Sequence, residues 1–350
     1  MTILITGIHG FVGSNLVSYL KDNHTIYGLD IVFPEKEGIQ KTYSWDDIIA
    51  KEHASSSLPE VDTIIHLAGK AHDTKNQSES KTYFDINTGL TRKIFDYFLQ
   101  SKAKQFIFFS SVKAAADSVE DGVLTEDVVP RPVGPYGESK IAAEKYILRH
   151  CEGDSPKQST ENHDYRLLRS ARNDVDLQEI TGQYRNDSVP KSVYILRPCM
   201  IHGPGNKGNL NLLYQVVSKG IPWPLGAFDN VRSFMNIWNL SYIIEQFINR
   251  NPESGIYHLA DDEPVSTNEL IRLIAESRNK KANIWNWNKK FIKSIARIGD
   301  VCKLPLNSDR LQKLTENYVV SNQKMKTALN LERLPVDVHT GLKRTLETFK

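Results

Sequence analysis

The chain has 350 residues, 40% of them apolar and 25% charged, with 44 Lys and Arg against 42 Asp and Glu. That is ordinary for a globular protein with room for two domains, and a net charge of +2 gives no reason to expect a nucleic-acid partner. No apolar run approaches the ~20 residues of a membrane helix, and no basic-then-apolar leader precedes the first strand pattern. Cys151, Cys199 and Cys302 are scattered, which suits a reducing cytoplasm and offers neither a disulfide framework nor a zinc pair.

In chain order, hydrophobic periodicity predicts strands at Thr2–Thr6, Thr25–Asp30, Thr63–Leu67, Gln105–Ser110 and Ser192–Arg197. Helical patterns lie between them at Phe11–Lys21, Asn87–Ser101 and Pro135–Arg149. Strand–helix alternation with Val/Ile-rich strands argues for an α/β fold, a doubly wound parallel sheet of the Rossmann type. Ligands bind such sheets beyond the C-terminal strand ends. No two histidines show metal spacing on one element, so His66 and His72 are read as packing or hydrogen-bonding residues and no metal is expected.

The first strand runs into "TGIHGFVGSNL", with Gly7, Gly10 and Gly13 three apart before a helix. Glycines there permit a tight turn and let backbone N–H groups approach a pyrophosphate at the helix N-terminus. Asp30 ends the second strand about 20 residues on, where a carboxylate can accept both adenosine ribose hydroxyls and would repel a 2′-phosphate. The residues directly after it are Ile31, Val32 and Phe33, which favours NAD over NADP.

The run "FIFFSS" ends on Ser110 and Ser111, at a strand end where ligands bind. One loop later, "PYGESKIAAEK" places Tyr136 and Lys140 four apart, on one face of a helix. To act near neutrality a tyrosine must be shifted down by roughly 3 units, or about 4 kcal/mol. A nearby ammonium and the positive ring of an oxidised nicotinamide can supply that shift.

Together with "VDTIIHLAG", "ILRPCMIHGPG", "VRSFMNIWNL" and "GIYHLADDEPVSTNELI", these motifs make the chain resemble the extended short-chain dehydrogenase/reductases, the nucleotide-sugar epimerase/dehydratase group, over nearly its whole length. The resemblance implies that Gly7, Gly10, Phe11 and Gly13 cradle the NAD pyrophosphate and that Asp30 holds the adenosine ribose. It implies that Ala68, Gly69 and Ser110 line the nicotinamide side, with Asn87 in support. Ser111, Tyr136 and Lys140 would form the catalytic triad, Lys140 also holding the nicotinamide ribose. Arg232, in "NVRSF", matches the position that grips a sugar nucleotide's pyrophosphate, a task suited to a guanidinium fork; Ser111 and Lys113 would face the sugar.

The family's 4,6-dehydratases carry Thr-Asp-Glu where this chain has Ser111, Val112 and Lys113, so dehydration is disfavoured. "SSVK", "LGAFDNVRSF" and "LTENYVVSNQKMKTALNL" are similar to bacterial UDP-N-acetylquinovosamine 4-reductases, which reduce a 4-keto-6-deoxy-sugar for cell-surface polysaccharide; a UDP-N-acetylhexosamine or UDP-hexose 4-epimerase is the close alternative, and an NAD-sensing module without catalysis a remote one. The domains expected are a Rossmann domain over 1–198, rejoined by 233–263, and a substrate domain over 199–232 and 264–350. A polar insertion at 152–190 is expected on the surface. "NWNKKFIKSIARIGDVCKL" reads as a basic amphipathic helix packing inward, or alternatively lying on an inner membrane surface. The helical stretches Asn87–Ser101 and Pro135–Arg149 carry apolar residues beyond one stripe, which predicts a homodimer through a four-helix contact.

Overall fold

The computed structural model describes residues 1–49, 58–70, 79–119, 122–151, 190–206, 208–302 and 307–349. Its main sheet has seven parallel strands: β1 (Thr2–Thr6), β2 (Thr25–Leu29), β3 (Lys41–Tyr43), β4 (Thr63–His66), β5 (Gln105–Phe109), β6 (Ser192–Pro198) and β10 (Gly255–Leu259). Their spatial order is β10-β6-β5-β4-β1-β2-β3. The chain starts in the middle, at β1, winds outward through β2 and β3, then returns to β4 on the other side of β1. That reversal is the topological switch point where such sheets bind ligands.

Every residue of β4 and β5 is buried, because helices cover both faces of the sheet. Successive side chains sort to opposite faces. Ile3, Ile5, Ile65 and Ile107 join α1 (Phe11–Leu20) and the helix Ile237–Arg250 in one core. Leu4, Ile64, Phe106 and Phe108 join Ile94, Phe95 and Phe98 of the helix Leu90–Gln100, and Ala143 and Ile147 of the helix Gly134–Cys151, in the other.

Beyond β6 the chain builds two small sheets, β7 (Met200–His202) with β9 (Phe234–Asn236) and β8 (Val231–Arg232) with β11 (Val265–Ser266). The helices Asn209–Ser218, Thr267–Ser277 and Val338–Glu347 pack around a third core, and Ile292 and Ala296 sit in a fourth with Leu225, Phe228 and Leu311. Tyr318, Val320, Met325, Leu329 and Leu334 pack into the core under the main sheet, not into the carboxy-terminal unit.

The helix expected over Asn87–Ser101 begins earlier, at Ser80, and passes through a π-helical segment, Phe84–Gly89, before the regular helix Leu90–Gln100. A π segment re-aims one turn of side chains and often marks a functional site. Of the apolar residues in the stretches Asn87–Ser101 and Pro135–Arg149, Ile94, Phe95, Phe98 and Ile147 are buried within the subunit. Tyr97, Leu99 and Tyr146 remain half-buried. His72 and the 152–190 insertion, except Pro190, lie outside the described residues.

Candidate active site

The glycine turn closes against the switch point. Gly7 has φ +67°, and a Cβ there would stand 2.9 Å from the backbone of Ala68, at the end of β4. A Cβ on Gly13 would stand 2.5 Å from the Gly7 carbonyl and 2.7 Å from Ile8 Cα. Only glycine lets α1 approach β1 this closely, and Gly10, whose N–H donates to the Gly7 carbonyl at 3.0 Å, starts the helix. Phe11 is its first residue. These features fit a cradle for a dinucleotide pyrophosphate at a helix N-terminus.

Asp30 follows β2 and is buried. Its carboxylate accepts the His9 N–H at 3.0 Å and the Ile31 N–H at 2.7 Å, which fixes its orientation beside the glycine turn. Lys36, which no spacing in the sequence points to, donates to the Ser14 carbonyl at 3.1 Å. Both Asp30 and Lys36 act electrostatically on His9. This side of the glycine turn thus holds a cation as well as the carboxylate.

The residues expected on the nicotinamide side are drawn together by close packing. A Cβ on Gly69 would stand 2.9 Å from Asn87 Oδ1 and 3.2 Å from Lys140 Nζ. Asn87, fully buried in the π segment, accepts the Lys70 N–H at 2.7 Å and donates to Ser139 Oγ at 2.9 Å. The Ala68 N–H donates to Thr6 Oγ1 at 3.0 Å, and Thr6 Oγ1 bonds His66 Nδ1 at 2.6 Å. His66 is a buried link to Thr91, 2.9 Å away, and burial holds its pKa well below the usual range.

The helix Gly134–Cys151 carries Tyr136 and Lys140 past the end of β5. Lys140 is buried; its Nζ donates to the Phe109 carbonyl at 2.8 Å. Burial lowers its pKa to about 8, against the opposing charge of Glu144. Ser111 caps a short 3₁₀ turn, Val112–Ala114, by accepting the Lys113 N–H at 3.2 Å, and its hydroxyl also bonds Tyr136. The Tyr136 phenol is pushed up by burial, against the Ser111 bond, with a smaller upward contribution from Tyr83, whose ring lies 6.4 Å away. In the surroundings of this chain alone Tyr136 is therefore a phenol, a proton donor at neutral pH.

The Ser110 hydroxyl donates to Glu144, and the residue is buried. Glu144 itself is fully buried on the catalytic helix, where Arg197 of β6 donates to it through Nε at 2.9 Å and through a second guanidinium nitrogen. This carboxylate ties together the strand end, the catalytic helix and the strand that leads to the substrate-side sheets.

Lys113 and Arg232 both approach the segment 316–318. Lys113 pairs with Asp117 at 2.7 Å, and its ammonium lies 5.0 Å from the Tyr318 ring centre. Arg232, on β8, lies 3.7 Å from Glu316 and donates to the Lys313 carbonyl; its Nε finds no acceptor among the described residues. Burial lowers the Arg232 pKa, against the charge of Glu316. Burial is also the largest influence on Glu316, raising its pKa, and the charges of Arg232 and Lys113 pull the other way. The Arg232 side chain is thus half-buried and held by Glu316 and the Lys313 carbonyl.

Residues 3–155 match the model of the NAD dependent epimerase/dehydratase family. UDP-glucose 4-epimerase of Vibrio cholerae is 28% identical over 99% of this chain and 95% of its own length. The N-acetyl-α-D-glucosaminyl-diphospho-ditrans,octacis-undecaprenol 4-epimerase of Escherichia coli O157:H7 is 24% identical over 99% of this chain and 94% of its own. Residues 3–155 are thus similar to that family, and the whole chain to two 4-epimerases at under 30% identity. The fold agrees: the Bordetella bronchiseptica enzyme WbmG, solved in complex with NAD, superposes with a TM-score of 0.70 at 17% identity, covering 100% of this chain and 94% of that one.

Besides Lys36, three residues around these groups were not singled out from sequence. Glu144 lies four residues after Lys140, so a buried carboxylate one turn along the catalytic helix was the available signal. Arg197 precedes Pro198 at the end of an apolar strand, where a charge needs a partner. Tyr318 carried no local signal, because its hydroxyl bond to the Ala116 carbonyl, 2.8 Å long, spans 202 residues.

Proposed function

We propose that this protein is an NAD-dependent oxidoreductase acting at C4 of a nucleotide-activated sugar. The reading is supported by the Ser111–Tyr136 hydrogen bond and by Lys140, whose ammonium would stand 3.2 Å from a Cβ on Gly69. The bound cofactor would accept or deliver the hydride. Gly7, Gly10, Phe11 and Gly13 hold its pyrophosphate, Asp30 its adenosine ribose, and Ala68, Gly69 and Asn87 its nicotinamide end. Ser111 holds the reacting oxygen by a hydrogen bond, and Tyr136 donates a proton to it as a carbonyl becomes an alcohol. Lys140, cationic below about pH 8, supports charge on the phenol as that proton leaves. The Arg232 fork suits the substrate's pyrophosphate, with Lys113 toward the sugar.

The specific reaction proposed is reduction of a UDP-4-keto-6-deoxy-N-acetylhexosamine, on the strength of the "SSVK" strand end and a site in which no carboxylate follows Ser111 directly. Epimerisation at C4 is the second reading, favoured by the two relatives just described, both named as 4-epimerases. One experiment separates them. The purified protein is mixed with NADH and UDP-4-keto-6-deoxy-N-acetylglucosamine, and separately with UDP-N-acetylglucosamine alone. Stoichiometric loss of NADH supports the reductase. Conversion of the second sugar nucleotide without added cofactor supports the epimerase. Neither reaction, with no binding of any UDP-sugar, would overturn the proposal.

A further inference from the structure

The helix Lys289–Cys302 does not spend all its apolar residues on the interior. Ile292 and Ala296 are buried and anchor it against Leu225, Phe228 and Leu311. Phe291 and Ile298 are 55% and 58% exposed. Spaced seven apart, with half-buried Ile295 between them, they form a second apolar stripe beside the buried one. Trp285 and Trp287 extend it: their rings stack at 5.6 Å, Trp287 meets Phe291 edge-on at 5.8 Å, and the two are 43% and 39% exposed. The segment under these rings is pinned, because Trp285 N–H donates to the Trp223 carbonyl and the Trp223 N–H to the Asn283 carbonyl, each at 2.8 Å. Four large side chains are therefore held out in water by a fixed scaffold.

The charge around this face is as uneven as its hydrophobicity. Residues 277–299 contain seven Lys and Arg and no Asp or Glu, leaving the rest of the chain with five more acidic than basic residues. Lys289, Lys290, Lys293 and Arg297 are exposed on the same helix. An apolar stripe with tryptophans, flanked by an unbroken run of cations, is complementary to one kind of surface. Its rings and aliphatic chains fit the headgroup–acyl boundary, and its cations fit anionic headgroups. We propose that this face docks the protein on an anionic phospholipid bilayer, the helix Lys289–Cys302 lying flat in the interface. A nucleic acid would meet the cations but leave Phe291 and Ile298 in water.

The test uses the full chain and vesicles of phosphatidylethanolamine and phosphatidylglycerol, with phosphatidylcholine vesicles in parallel. The protein should sediment with the anionic vesicles, bind the zwitterionic ones at least about tenfold more weakly, and shift its tryptophan fluorescence to the blue on binding. Phe291→Glu with Ile298→Glu should abolish sedimentation while the thermal midpoint stays within a few degrees of the parent. Lys290→Glu with Lys293→Glu, which leaves the apolar stripe intact, should weaken it by at least about tenfold. The proposal is overturned if the parent ignores anionic vesicles, or if both double variants bind like the parent. It also fails if the parent prefers a single-stranded oligonucleotide to the vesicles. A parent that ignores vesicles but loses mass in light scattering when the stripe is mutated would make this face a contact between copies, which again overturns it.

Discussion

At the residue scale, the proposed chemistry rests on a phenol and an ammonium whose pKa values burial moves in opposite directions. Tyr136 is raised and Lys140 is lowered to about 8. Replacing Tyr136 with Phe removes the proton that reaches the substrate oxygen, so the rate should fall by at least ~10²-fold with NAD affinity kept; single-turnover kinetics beside an NAD titration measures both, and near-full activity would sink the triad. The pH profile follows from Lys140. Below about pH 8 it is a cation that supports charge on Tyr136, and above it the neutral amine cannot, so kcat/KM, which reports the free enzyme, should decline as pH rises through about 8. Glu144 raises the Lys140 pKa. In Glu144→Gln the alkaline limb should therefore move to lower pH, and an unmoved limb would show that Lys140 does not set it.

At the element scale, two close fits hold the site. The first is α1 against β1. A methyl at Gly13 would meet backbone atoms at 2.5–2.7 Å, so α1 must back away. Gly13→Ala is expected to lose about 1–3 kcal/mol of stability, the usual scale for overpacking, together with NAD affinity. Thermal melts and calorimetric NAD titration check this, and an unchanged affinity would mean that the helix approach does not shape the cradle. The second is the buried Glu144–Arg197 pair, which joins the helix Gly134–Cys151 to β6. Removing one partner strands a charge in the interior, so Glu144→Gln is expected to cost about 3–5 kcal/mol. Urea denaturation measures it directly; a loss under about 1 kcal/mol would mean that water reaches Arg197 easily.

At the scale of the whole molecule, the helices Leu90–Gln100 and Gly134–Cys151 pack on the same face of the sheet and share the Phe95–Tyr146 and Tyr146–Asp96 contacts. Tyr97, Leu99 and Tyr146 are left half-buried along them. A two-fold contact between these helix pairs in two copies would cover that strip and brace the helix that carries Tyr136 and Lys140. The expectation is a homodimer, with a light-scattering mass of twice 39.8 kDa at micromolar concentration. A fully active 39.8 kDa species alone would refute it.

The sheet and the turns at its strand ends were legible in the sequence because their signals are local. "TILIT" followed by "TGIHGFVG", and "FIFFSS" followed by "PYGESK", each place strand, turn and helix within about 20 to 35 residues. Period-two and period-3.6 burial then sorts those residues onto their faces without any distant contact. Contacts between distant segments were not legible. The sequence offers no periodic reason for Ser110 to turn toward Glu144, for Lys36 to reach Ser14, or for Tyr318 to return to the first core beside Lys113 and Arg232. Nor did the amphipathic pattern of 289–302 show which of its apolar residues face inward: Phe291, Ile292, Ile295 and Ile298 read as one side. Only packing against Leu225, Phe228 and Leu311 decided that Ile292 is buried and that Phe291 and Ile298 stay in water. Local pattern specifies elements, because backbone geometry repeats every few residues. Partners across the fold are chosen by shape and charge once those elements meet, and only the tertiary structure holds that choice.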